Sequence, residues 1–370
     1  MSEPAALPSP MLNKHLAIND AAPWEQYQRP YVRDLAFALA CPNVLTHWLD
    51  LTGNENDDGS GDKRIFKITD KSTAKISVHS ADFWHLQYKA YQERLQILDS
   101  TNAYQELTRY LLARPSPNRL GFHFEGLLSF WLTDGFAHGY HPYEILASNV
   151  QLYCGKQTSG ELDLVLYNHQ EKLTEHWELA IKFFMGSAPF APVNWVGINS
   201  KDNLQRKMTH MQTKQFCTLT VETKNHGHVI IDKRYAVIKG RFFLPMLNTD
   251  FICPDWFSAH FPLHRWMTIP NSHNNQSKNN PSTPFSNQRL TVDTVNVNER
   301  LNDISSIRQA HYIEWFTQRD FYNNRDKKIP STTASLQQGL YFVKLPAQQH
   351  YDPLVILRTP NNTGQDKAEN

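Results

Sequence analysis

Two strand-like stretches carry acids inside strongly apolar text. In ELDLVLY, residues 161–167, Leu162, Leu164 and Leu166 share one face, while Glu161, Asp163, Val165 and Tyr167 share the other. In HWELAIKF, residues 176–183, Trp177, Leu179, Ile181 and Phe183 alternate with His176, Glu178, Ala180 and Lys182. A short turn joins the two stretches, so the faces bearing Asp163 and Glu178 can coincide. Two carboxylates brought together repel, and a hard divalent cation relieves that repulsion by accepting their oxygens. The candidate ligands are oxygens, with no His/Cys cluster, which points to Mg²⁺, with Mn²⁺ as the alternative. The backbone carbonyl of Leu179 could supply one more oxygen. Glu125, set on a helix beside Leu128 and Leu132, could join the ion directly or through water. Lys182 lies four residues beyond Glu178 on the same face, a rise of about 13 Å. Extended back along the strand, its ammonium could orient a water or stabilise charge developing on phosphorus. Metal-assisted hydrolysis of a phosphodiester needs this set.

Plainer assignments fit the same residues. Asp163 can end a hairpin on a solvated edge, Glu178 and Lys182 can face water from an amphipathic strand, and Glu125 can be a helix-surface carboxylate. His176 reads as a packed histidine and Glu161 as a surface acid. What favours a site is the joint placement of the acids on one layer of the fold.

The elements that must position these groups follow from periodicity. The 370-residue chain is 40% hydrophobic and 12% aromatic, enough for one large or two ordinary domains with real cores. Residues 1–22 read as a flexible N-terminal arm, and 23–115 as a helical region. Its helices start at Tyr31, with a break at Pro42 and a second short helix, then ADFWHLQYKAYQERLQILDS and TNAYQELTRYLLARP, where Thr101 can cap and Pro115 stops. GNENDDGSGDK, 53–63, reads as a flexible loop. Residues 116–250 form an α/β core: a helix from about Leu120 to Thr133, a strand near Ile145–Tyr153, the two acid-bearing strands, and a helix over 201–215. Strands near Phe216–Thr223 and Tyr235–Leu244 complete it. Residues 251–350 read as a C-terminal extension, with a disordered loop at 271–288, a late helix in SSIRQAHYIEWFTQRDFYN and a strand at LYFVKLP. Residues 351–370 read as a disordered tail.

Net charge is +1, so no global field announces a polyanion or a membrane. Locally the balance is uneven. Residues 121–180 hold eight acids against two lysines, and residues 201–245 hold nine Lys or Arg against three acids. An acidic segment followed by a basic one suits a metal site beside a polyanion surface, and it equally suits two solvated faces. Arg206, Lys207 and Lys214 on the 202–215 helix, with Lys239 and Arg241 on the following strand, are the candidate contacts for nucleic-acid phosphates. Four separated cysteines suggest neither a disulfide framework nor a zinc site. The N-terminus lacks a signal peptide pattern and no apolar run is long enough to span a bilayer, so a cytoplasmic location without membrane contact is expected.

LGFHFEGLLSFWL, GKQTSGELDLVLYN, HWELAIKFF, WVGIN and YAVIKGRFFLP resemble an uncharacterised bacterial family catalogued as domain of unknown function 1853, over roughly residues 30–345. That family is in turn similar to the restriction-endonuclease-like, or PD-(D/E)XK, superfamily. The resemblance implies a core of helix, three strands, helix and strand, with an acid on the first helix, an Asp on the second strand and Glu-x-Lys on the third. Glu125, Asp163 and Glu178 match the acids. Ala180 stands where the lysine is usual, and Lys182 is the nearest substitute. The expected function is metal-dependent hydrolysis of DNA or RNA. A catalytically inactive nuclease-fold module that binds nucleic acid is the second possibility, and a structural or interaction protein the third. A glycosidase using Asp163 and Glu178 as acid and base lacks an identifiable sugar platform.

Overall fold

Helices form where apolar residues recur every three or four positions between clear stops, and strands where the period falls to two. The computed structural model describes residues 22–51, 75–154, 157–198, 201–246, 251–269, 304–319, 336–344 and 351–358. The arm before residue 22, the loops at 53–63 and 271–288, and the end of the chain from residue 359 lie outside the described residues. The first half is α1 Pro30–Ala40, β1 Ile76–Ser77, α2 Ala81–Ser100, α3 Tyr104–Leu112, α4 Leu120–Ala137, β2 Tyr143–Cys154, β3 Gln157–Asn168 and β4 Leu173–Gly186. Next come β5 Trp195–Gly197, α5 Leu204–His210 running into a π-helical turn Met211–Gln215, β6 Thr220–Thr223, β7 Gly227–Ile230 and β8 Lys233–Pro245. The remainder is β9 Leu263–Ile269, β10 Ser306–Gln309, β11 Gly339–Lys344 and β12 Asp352–Arg358.

The result is a mixed α/β structure. One ten-stranded sheet runs β10-β11-β12-β9-β8-β4-β3-β2, with β1 added to β8 and β5 to β4, while β6 and β7 form a separate hairpin. β8 is parallel to both β4 and β9, and β2, β3 and β4 form an antiparallel meander. The α1–α4 layer covers one face around β4 and β8. Trp84 of α2, Trp131 of α4 and Trp177 of β4, all fully buried, meet there with ring centroids 6.0–6.4 Å apart. The N-terminal helices therefore share one hydrophobic core with the acid-bearing strands. Among the described residues no helix is long and apolar enough to cross a membrane.

Several local expectations change. No helix follows Pro42. The Asn43 side chain bonds the Ala236 carbonyl and the Ile238 N–H, and Val44 N–H donates to Ile238 O. Together they satisfy the stretch of β8 that lies between the partners β1 and β9, which requires extended chain. Thr101 closes α2 rather than opening α3: its hydroxyl donates to Ile97 O and accepts from Ala103 N–H. The late helix is replaced by β10 and a 3₁₀ turn at Tyr312–Trp315, because Ser306–Gln309 pair with β11 and Arg308 forks onto buried Glu314. Residues 352–358, expected in a disordered tail, form β12, inserted between β11 and β9. Its two edges are paired by strands whose positions no local pattern announces, and both faces are buried, Leu354 and Ile356 in one apolar cluster and Val355 and Leu357 in another.

Lys239 and Arg241 are also corrected. Register pairs them with Ile181 and Phe183, so they share the helix-covered face. Lys239 Nζ donates to Ala38 O at 2.6 Å at the C-terminal end of α1 and lies 3.2 Å from the Trp84 ring centroid. Arg241 donates to the carbonyls of Trp315 and Phe316. Both are buried and neither lines a nucleic-acid surface.

Candidate functional site

The site lies where β3 and β4 part. Their ladder runs from Asn168↔Leu173 to Leu164↔Trp177, and one further step sets Asp163 opposite Glu178. Beyond that step β3 stays with β2, and among the described residues β4 meets no antiparallel partner until β5 pairs at Phe184. β3 also rotates at this point. Leu164 and Leu166 enter the main core, whereas Leu162 packs with Val165 under the β6–β7 hairpin. Asn149, on the adjacent stretch of β2, takes a left-handed φ of 52°. Asp163 consequently points into the fork, where its Oδ2 accepts the Leu179 N–H at 2.7 Å. A strand residue turns its N–H and carbonyl toward the same neighbour. The Leu179 carbonyl thus also faces the fork.

Asp163 and Glu178 face each other across the fork, and burial, followed by the Glu178 charge, holds Asp163 well above the ordinary carboxylate range. Burial pushes Glu178 up to about 7, opposed by the nearby Lys207 and reinforced by Glu125. Glu125 approaches from α4 beside Asn149, with its Oε2 3.9 Å from Arg114 Nη2. Burial, then the Asp163 charge, raises it to about 7. Glu178 Oε2 and Glu125 Oε2 are buried without a hydrogen-bond partner, acceptors that a cation or its waters would fill. His176, held neutral by burial with its pKa down to about 4, stands 3.4 Å behind Glu178 Oε2. Among the described residues no set of three or more His, Cys, Asp or Glu side chains is gathered to hold an ion. The acids are a close pair with a third nearby. Mg²⁺ suits such a site, since it is commonly held by one or two carboxylates and completes its shell with water and phosphate.

The lysines are arranged otherwise than strand spacing suggests. Lys182 Nζ bonds Asp202 Oδ2 at 2.6 Å instead of folding back to Glu178. Its backbone is fixed by Gly240 (φ 138°), where a Cβ would meet the Lys182 carbonyl oxygen at 1.8 Å. Lys207 of α5 reaches the pair instead, with Nζ 3.8 Å from Glu178 Oε1, and burial lowers its pKa while Glu178 and Asp163 support its charge. Gln215 donates to the same Glu178 oxygen and accepts from Lys207 at 3.3 Å. Gln215 and Asn149 carry no sequence signal of their own. Arg206 and Lys214 are exposed on α5 and the π turn, next in sequence to Lys207 and Gln215.

The raised Glu178 gives a testable pH dependence. Between 4.5 and about 7 the folded protein holds a proton that the unfolded chain releases, so this group's contribution to stability falls as pH rises. Buried histidines such as His176 act oppositely, so the effect is isolated by difference. In EDTA, wild type is expected to lose about 2–3 kcal/mol relative to Glu178→Gln between about pH 5 and about pH 8, measured by urea titration at each pH. A pH-independent difference would place Glu178 in a solvated, unstrained setting.

The chain belongs to the family described as Domain of unknown function (DUF1853), whose model matches residues 33–286. No curated protein and no solved structure matches it.

Proposed function

We propose that this member of the family is a metal-dependent nuclease that hydrolyses phosphodiesters of DNA or RNA on a restriction-endonuclease-like core. The observation that carries the proposal is the pairing of half-buried Asp163 with buried Glu178 at the fork of β3 and β4, with Glu125 nearby and Lys207 Nζ 3.8 Å from Glu178 Oε1. The order α4, β2, β3, β4, α5, β8, with β4 and β8 parallel and adjacent, supports the same core. Asp163, Glu178 and the Leu179 carbonyl would hold Mg²⁺ or Mn²⁺, with Glu125 acting through water. When bound, the ion supplies a water of lowered pKa and charge for the phosphate oxygens. Asp163 and Glu178 would fix the ion, and Glu125, close to Asp163, would take or return a proton there. Arg206 and Lys214 offer phosphate contacts at the rim without reading bases.

The test is cleavage of labelled single- and double-stranded DNA and RNA with Mg²⁺, Mn²⁺ or EDTA. Cutting with either metal and none in EDTA is the expected result. Ala180, in place of the usual lysine, favours a second reading, a nuclease-fold module that binds without cutting. Salt-dependent binding without cleavage would establish that reading, and neither binding nor cleavage would reject both.

A further inference from the structure

Two lysines lie near the acid pair, and only one is free to serve it. Lys182 is committed to Asp202 at 2.6 Å, and the Asp202 carbonyl is itself held by Gly197 N–H at 2.8 Å. Lys207 lies on the acid pair, 3.8 Å from Glu178 Oε1, with its side chain 16% exposed. Gln215 closes a triangle by bonding both Lys207 and Glu178. The π turn explains how one helix delivers both groups. In an unbroken α-helix, eight residues turn the chain roughly 80° past two full circles, which would carry Gln215 off the face of Lys207. From Met211 to Gln215 the helix is π, turning only roughly 80° per residue, and that removes most of the excess. Gln215 comes back into line above Lys207.

Resting on the nuclease reading, we propose that Lys207, delivered by α5 and seated by the π turn through Gln215, is the catalytic cation of this site, and that Lys182 is not. In the hydrolysis a water oxygen bonds phosphorus, the water proton passes to a carboxylate or to solvent, and the P–O bond to the leaving sugar oxygen breaks. That oxygen takes up a proton from solvent water. The Lys207 ammonium keeps its own proton and stabilises the charge on the phosphate oxygens.

The experiment compares full-length Lys207→Met, Lys207→Gln and Lys182→Met at matched folded fraction, on the DNA or RNA substrate that wild type cuts fastest. Lys207→Met is expected to lower kcat at least about 100-fold with KM within about threefold. Lys182→Met should stay within about threefold of wild type in kcat. A second readout needs no turnover. Loss of the ammonium beside the acids should tighten Mn²⁺ binding at least about threefold in Lys207→Met, by electron paramagnetic resonance of free Mn²⁺, and leave it unchanged in Lys182→Met. Lys207→Gln, able to keep the Gln215 contact, gives the same comparison should the Met variant fail to fold. Loss of kcat that follows Lys182, or Mn²⁺ affinity indifferent to residue 207, would overturn the proposal. A wild type that cuts nothing would reject the nuclease reading and with it the catalytic role. A wild type that cuts, with a Lys207 variant cutting equally well, would reject Lys207 alone.

Discussion

Asp163→Asn is expected to lower metal-dependent cleavage at least about 1,000-fold, equivalent to about 4 kcal/mol of transition-state stabilisation, while raising the melting temperature of the metal-free protein. Both effects have one cause. Half-buried Asp163 sits against buried Glu178, which is costly when both are ionised and would be useful with a cation held between them. Asparagine keeps an oxygen for the Leu179 N–H that Asp163 now accepts at 2.7 Å, so the fork is retained and only the titratable group is lost. Initial rates with Mn²⁺ and thermal melts in EDTA, on the same preparations, read the two sides separately. Undiminished cleavage would remove Asp163 from the site. A lower melting temperature without metal would show that the pair is not under electrostatic strain.

The alternation that made Asp163 and Glu178 conspicuous puts them on neighbouring strands, and the ladder register carried one step past Leu164↔Trp177 sets them opposite. It misjudges the direction. Leu162 leaves the face of Leu164, and that rotation turns Asp163 into the fork within reach of both Glu178 and Glu125. The helices over 81–100, 104–112 and 120–137 were legible because their apolar stripes are long and their stops are local. β9 and β12 were not legible, since Arg265 and Leu354 pair across a large separation in sequence. Lys239 illustrates a further limit. A lysine in a strand reads as surface, yet here the free carbonyls at the end of α1 and the face of Trp84 take its ammonium. Composition cannot say which helix end will lie over which strand. Lys207 is the counterpart: it reads as one cation on a polar helix, and only the π turn and the placement of α5 bring it to the acids.

Asp34→Ala is expected to cost about 3–5 kcal/mol of folding stability, because Asp34 ties the site's helix layer to the C-terminal strands. Its carboxylate is fully buried in α1 and accepts from Thr317 Oγ1 at 2.5 Å and from an Arg319 nitrogen at 2.5 Å. His123 of α4, two residues before Glu125, contacts the same carboxylate at 2.9 Å. Burial alone would raise the Asp34 pKa, but Arg319 and then His123 outweigh it and hold it below the usual range. Removing the carboxylate leaves the Arg319 guanidinium, itself 4% exposed, buried without its counter-charge, and that uncompensated charge supplies most of the cost. Urea titration should show a lower midpoint with an unchanged slope, as expected when the folded state alone is weakened. Arg319→Met combined with Asp34→Leu should recover much of the loss, since a matched apolar pair avoids desolvating either charge. The lowered carboxyl fixes the pH sign: the stabilisation is present above the ordinary Asp pKa of 3.8 and is lost on acidification below it. The gap between wild type and Asp34→Ala should therefore narrow in acid. A gap that stays constant with pH, or a double variant no better than Asp34→Ala, would locate the cost in packing rather than in the buried charge.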